Sequence, residues 1–298
     1  MHHRAMHQGL PLAKQRSNVA RTDKIDMPFV PFFGMPKRHT GTQIMTIELK
    51  AIKRYPVKGM RGVDLKEAKI SAHRMITDDR RFVIATQSSV GQEGVHEWAR
   101  KSNFLQLVNT PKLAEIGTDY DDATCTLTIL RNGRAICKGK LDEAMGRTVV
   151  EDFLKAFLKN EIAGTPRIYS VPDTNFGDMK EPYISLLNLA SIRDFGSRIV
   201  QSEIDPMRFR GNLLIDGLEP WKELEWNEDK IIKINDVSFR VVHPITRCKA
   251  TSVNPDTAIA DINVPLMLRK GVNHLYMGVY IEAIEDGTIT PGDEISIA

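Results

Sequence analysis

Three cysteines among 298 residues, an odd number in no disulfide-like spacing, exclude a disulfide scaffold and point to a reducing cytoplasm. They are too few to hold an iron–sulfur cluster on four thiolates, and no Cys-x-x-Cys pair is present for zinc or redox work. No apolar run approaches the roughly 18 residues of a membrane span. No basic-then-apolar leader opens the chain. Gly-x-Gly-x-x-Gly after a strand and Gly-x-x-x-x-Gly-Lys-Ser/Thr are both missing, so no nucleotide loop is visible. The text therefore shows no electron-transfer module, and electrons for any redox chemistry must come from a separate protein. A charge surplus is missing too. The net charge is +3, but residues 1–44 hold seven Lys/Arg against two Asp, so the remainder is mildly acidic and nothing argues for nucleic acid.

Residues 1–44 show no helical or strand period and include the Pro-spaced run Met27–Pro36. They read as an extension outside the fold: a start placed too early, a disordered tail or a transit peptide. From Thr46 the text is rich in strands. Ile47, Leu49 and Ile52 lead into Tyr55-Pro56-Val57-Lys58-Gly59, and 81–86 reads as a buried strand. Cys125, Leu127 and Ile129 alternate with threonines, and Asn132-Gly133 predicts a hairpin with 135–138 as its return strand. Cys125 and Cys137 then belong to that hairpin as small hydrophobes.

The period changes over Val149–Ile162, where apolar residues recur at helical spacing until Gly164 and Pro166 stop them. A second helix is predicted from Asn188 or Ser191 to Ile199. Strands return at 212–217, 231–234, 237–242, 279–284, 286–289 and 291–297. Many short strands with few helices predict a mainly β chain built from closed or nearly closed barrels. The joint between two units falls near residue 165.

One cysteine stands apart. Cys248 has Arg247 and Lys249 on either side, a strand-like run before it and a Pro-rich stretch after it. A thiol between cations at a strand end suits metal binding or nucleophilic attack. Other cations also sit beside small polar residues at strand ends: Lys58, Arg80 and Arg81, Arg208 and Arg210 with Asn212, and Arg247. Guanidinium forks and ammonium charges suit a phosphate, and a thiolate suits a soft metal. A phosphorylated ligand bearing such a metal would explain both features. A cation taken singly is usually a solvated or salt-bridged surface group, and it is the combination that points to a ligand.

These segments resemble the MOSC family, the C-terminal domain of molybdenum cofactor sulfurase, preceded by its N-terminal β-barrel partner. Tyr55-Pro56-Val57-Lys58-Gly59 and Asp79-Arg80-Arg81-Phe82 resemble the partner domain. Arg208-Phe209-Arg210-Gly211-Asn212 and Arg247-Cys248 with Pro255-Asp256-Thr257 resemble the MOSC signatures. The resemblance implies an N-terminal β-barrel-like domain over 45–165 followed by a MOSC β-barrel domain over 166–298. It implies molybdenum–molybdopterin as cofactor, with Cys248 as metal ligand and catalytic residue. Lys58, Arg81 or Arg80, Arg210, Asn212, Thr246 and Arg247 would hold the pterin phosphate and complete the pocket.

The implied activity, similar to that of amidoxime-reducing molybdoenzymes, is reduction of N-oxygenated small molecules. The donor would be a ferredoxin, a flavoprotein or a haem protein. His243 and Asp256 would relay protons or serve structure alone. The alternative is a persulfide carrier without turnover. Family members also carry a pyridoxal phosphate association, but no lysine here is marked for a Schiff base. Departures from the pattern are Gly59 for Ser, Gly211 for Pro and Ala258 for Gly. The segment 88–94 also differs, and it is expected at the substrate mouth.

Overall fold

The computed structural model describes residues 46–91 and 94–297. The extension expected over 1–44 lies outside them. Strand β1 (Ile47–Arg54) buries Leu49 and Ile52 and pairs with β2 (Val63–Leu65). Its other partners come from the distant half of the chain: β10 (Leu213–Asp216) and β15 (Glu294–Ile297). Between them run β9 (Ile184–Asn188), β13 (Tyr276–Ala283), β12 (Val237–Thr246) and β11 (Ile231–Ile234). The order is β10-β9-β13-β12-β11-β15-β1, and pairing of β1 with β10 closes the ring. Its interior is apolar, with Leu186, Leu213, Ile232, Phe239 and Ile281 buried together. Closure removes the free strand edges that an open sheet would expose.

All pairs in the ring are antiparallel except β9 with β10. A parallel pair needs a long crossover. Helix α3 (Leu189–Asp194) supplies it, continuing as a wider helical turn over Phe195–Val200. The Asn188 side chain caps it by accepting from the Ala190 N–H at 3.0 Å, as the second predicted helix requires. Ile192 and Phe195 pack with Leu268 of α4 (Val264–Val272) against the outside of the barrel.

The rest of the N-terminal half forms smaller sheets. β3 (Ala68–Ile70) pairs with β14 (Gly287–Ile289), and β4 (Val83–Thr86) pairs with β8 (Pro166–Tyr169). β5 (Gly117–Asp121), β6 (Thr126–Arg131) and β7 (Arg134–Lys140) form a meander. Its Asn132-Gly133 turn has positive φ at both residues, 51° and 74°. Helix α1 (Gln87–Val90) is a single turn. Helix α2 (Ala144–Phe157) buries Val150 and Leu154 among Leu127, Ile129 and Cys125, with Cys137 at the margin.

The structure is mainly β with few helices, as the strand text predicts. α2 begins at Ala144 and ends at Phe157, so it starts before Val149 and stops short of Ile162. Helix α4 and strand β9 are additions. The Asn263-Val264-Pro265 start of α4, with Asn263 accepting from the Leu266 N–H at 3.3 Å, is a readable start signal. β9 is buried on both faces, so it lacks the alternation that marks a strand.

Candidate functional site

β12 ends at Thr246 and delivers the Arg247-Cys248 pair. The Arg247 N–H donates to the Leu275 carbonyl at 2.8 Å, and Cys248 then caps a short helical turn, Lys249–Ser252. Thr251 holds that turn by donating its hydroxyl to the Cys248 carbonyl at 2.8 Å. The Cys248 thiol is left exposed. Arg247 turns inward. Its guanidinium donates to the Met277 carbonyl at 2.9 and 2.5 Å and to the Phe209 carbonyl at 2.8 Å, and lies over the Phe209 ring. Gly278 follows Met277 with φ +75°. A Cβ there would meet the Leu186 carbonyl, so glycine lets β13 lie this close to β9.

A capped turn, Pro206–Phe209, splits the other arginines. Asp205 accepts from the Met207 N–H, and Arg210 takes the left-handed conformation at φ 52°. Arg208 thereby faces Asp261 at 2.8 Å. Arg210 donates to the Met60 carbonyl at 2.6 Å and lies over one side of the Tyr55 ring. Arg80 lies over the same ring, pairs with Asp79 and donates to the Arg210 carbonyl at 3.0 Å. Positive φ at Asp78 and Arg80 gives this turn its handedness and sends Arg80 inward.

Arg81 points away. It pairs with Asp78 at 3.1 Å, covers the Phe82 ring and is 40% exposed. Of the two arginines only Arg80 turns toward Arg210 and Asn212, because the reversed turn puts the consecutive side chains on opposite sides. Asn212 is buried, and its Oδ1 accepts from the Ser185 hydroxyl at 2.7 Å and from Arg80 at 3.3 Å. It holds Arg80 in place.

Lys58, Arg80, Arg210, Asn212, Thr246, Arg247 and Cys248 line one cavity of about 110 Å³. Arg81 is not among its walls. Sequence reasoning missed Lys101, Asp178, Tyr183 and Tyr280, which line it too. Lys101 opens a short helical turn, Lys101–Asn103, and Asp178 stands in a loop; neither has a motif around it, and only the fold brings them to Lys58. His243 packs edge-on against Tyr280 with ring centroids 5.3 Å apart, behind the wall. Asp256 accepts from Arg61 at 2.7 Å and ties the segment after Cys248 to the N-terminal half.

The described residues of 88–94 do not line the cavity either, and Val90 packs beside the Val83–Phe176 cluster instead. Gly59 has φ +87°, with a Cβ position 2.8 Å from the Leu105 carbonyl, so this backbone demands glycine. Gly211 packs directly on Leu187, whose side chain would lie 2.4 Å from an added Cβ, so glycine there allows close packing.

The walls are electrically lopsided. Lys58, Arg80, Lys101, Arg208, Arg210 and Arg247 line the cavity with one carboxylate, Asp178, while Arg80 and Arg208 also have partners behind the wall in Asp79 and Asp261. Among the described residues, Arg210 and Arg247 have no ion-pair partner; backbone carbonyls accept their hydrogen bonds, and each lies over an aromatic ring. Burial pulls each of them down to about 10, so both remain charged at neutral pH. Burial also lowers Lys58 to about 8, against the opposing pull of Asp178. A buried and a half-buried guanidinium without a carboxylate carry a desolvation cost that an anionic ligand would relieve. Among the described residues, no group of three or more His, Cys, Asp or Glu could hold a metal ion. A metal at Cys248 would therefore take one protein thiolate and bring its other ligands with it. The donor set fits a phosphate-bearing ligand that carries its own metal.

Residues 46–163 match the MOSC N-terminal beta barrel domain, and residues 172–296 match the MOSC domain. The chain belongs to the MOSC family. Mitochondrial amidoxime-reducing component 1 of Mus musculus is 26% identical to this MOSC protein over 287 residues, covering 81% of this chain and 79% of the relative. The Homo sapiens protein of the same name is 26% identical over 286 residues, covering 81% and 80%. Molybdenum cofactor sulfurase of Caenorhabditis elegans is 26% identical over 234 residues, covering 76% of this chain and 32% of the relative. Among solved structures, the YUAD protein from Bacillus subtilis aligns with a TM-score of 0.40 at 10% identity, covering 84% of this chain and 94% of that one.

Similarity to these relatives supports a general oxidoreductase function connected with the molybdenum cofactor. The expectation of a cytoplasmic protein is overturned, because relatives across several species are named as mitochondrial. Cysteine usage reports a reducing environment and does not separate one reducing compartment from another. Among the described residues, no helix is long and apolar enough to cross a membrane.

Proposed function

We propose that this MOSC protein binds molybdenum–molybdopterin through the Cys248 thiolate and reduces N-oxygenated small molecules with electrons from a separate redox protein. The observation that carries this reading is the pair of guanidiniums without a carboxylate partner, buried Arg247 and half-buried Arg210, in the cavity that also presents the exposed Cys248 thiol. Lys58, Arg80, Arg210 and Arg247 would hold the phosphate, Thr246 would complete the wall, and Asn212 would fix Arg80. When bound, the molybdenum centre supplies two-electron oxygen-atom chemistry. The chain's own part is to orient that group, exclude competing anions and keep its cations poised. Lys58 donates to the Phe176 carbonyl, the Gly177 carbonyl and Asp178, which holds it as an ammonium group and not as a Schiff-base nucleophile. The segments 45–165 and 166–298 are proposed as the two sequence units that share this cavity.

The test is to purify the protein from a molybdenum-replete host and quantify molybdenum and released pterin. Stoichiometric metal is expected in the wild type. Cys248→Ala should lose the metal and the reduction of amidoximes or hydroxylamines. A metal-free wild type with a reducible persulfide on Cys248 would overturn the reading in favour of a sulfur carrier.

A further inference from the structure

Lys58 and Lys101 approach the cavity from different segments and meet the same side chain. Asp178 accepts from Lys58 Nζ at 3.1 Å and from Lys101 Nζ at 3.2 Å, one carboxylate oxygen to each. Both distances exceed the 2.7–2.9 Å usual for charge-assisted pairs, so the bridge is loosely held. The Lys58 ammonium has three N–H groups, and all three are engaged: by Asp178, by the Phe176 carbonyl at 2.7 Å and by the Gly177 carbonyl at 3.0 Å. As it stands, Lys58 has no free donor for a ligand phosphate. The Phe176 carbonyl belongs to a fully buried residue and cannot withdraw without moving the backbone. The Asp178 side chain is 47% exposed and can leave by rotating into solvent.

We propose that Asp178 is a resident stand-in for the ligand's phosphate, bridging Lys58 and Lys101 until the phosphate displaces it. Lys101 then becomes a further anion-binding residue. Asp178 sets the affinity threshold: it keeps the lysines compensated without ligand and competes with weak anions. The inference rests on the cavity being an anion site, as the proposed function holds.

Pyrophosphate binding to cofactor-free full-length protein, measured by calorimetry, tests it. Asp178→Asn should bind pyrophosphate about tenfold more tightly than the wild type, because the competing carboxylate is gone. In a Lys101→Gln background the same change should gain no more than about twofold, since one of the two sites that it unblocks is missing. Equal or weaker binding by Asp178→Asn overturns the proposal and makes Asp178 an organiser of Lys58. An undiminished gain in the Lys101→Gln background also overturns it, because that is a general field effect. If neither wild type nor Asp178→Asn binds pyrophosphate, the anion-site reading itself fails. A crystal structure of the wild-type pyrophosphate complex gives a check free of substitutions. Asp178 should lie away from both lysines, and a carboxylate still bridging them refutes displacement.

Discussion

Lys58 shows how one side chain's surroundings set a measurable pH dependence. Burial lowers its pKa to about 8. It therefore carries its charge below that pH and loses it as pH rises through 8, while Arg210 and Arg247 stay protonated. Pyrophosphate affinity should fall between about pH 7.5 and 9, and Lys58→Arg should flatten that fall in a calorimetric pH series. Glu223 is the opposite case. It is fully buried, and burial raises its pKa above 4.5 although it accepts from Asn188 and Ser191. A raised folded-state pKa gives stability that is present below the unfolded value and is lost as pH rises through the folded value. Glu223→Gln should leave stability near pH 4 little changed and make the protein more stable than wild type at pH 8. Thermal melts at the two pH values check this.

At the scale of the element, backbone handedness decides which substitutions matter. Ala258 sits at φ 58°, a conformation that costs a residue with a Cβ about 1–2 kcal/mol. Ala258→Gly should stabilise the protein by about 0.5–1 kcal/mol in denaturant unfolding, because glycine's larger entropy loss offsets part of the relief. Gly278→Ala should do the reverse and cost about 2 kcal/mol or more. It adds a Cβ at positive φ against the Leu186 carbonyl, beside the Met277 carbonyl that holds Arg247. Pyrophosphate affinity should drop with it.

Legibility in the sequence follows the same local logic. The β6–β7 hairpin, the strand leading into Cys248 and the Asn188 cap depend on neighbours within a few residues, and the text shows them. Strand β9 is missed because burial on both faces erases its period. Arg80 and Arg81 look equivalent in the text, and only the reversed turn at 78–80 separates them.

The whole molecule is organised by the return of its first strand. β1 closes the ring made by the C-terminal half, so a chain cut near residue 165 separates two pieces that share one barrel. Residues 166–298 expressed alone should show no cooperative melt, since β10 and β15 would each lose a partner edge. Co-expression with 45–165 should restore a single transition by calorimetry. A cooperative melt of 166–298 by itself would contradict this account of closure.

The sequence alone determined the mainly β class, the singular position of Cys248 and the list of cations suited to a phosphate, because these depend on residue type and short spacing. Tertiary structure alone decided that Lys58, Arg80, Arg210 and Arg247 share one cavity and that Arg81 does not. It alone brought in Lys101 and Asp178. Those groups lie far apart in the chain. Their meeting depends on barrel closure and on a few left-handed backbone turns, and neither has a signature in local composition.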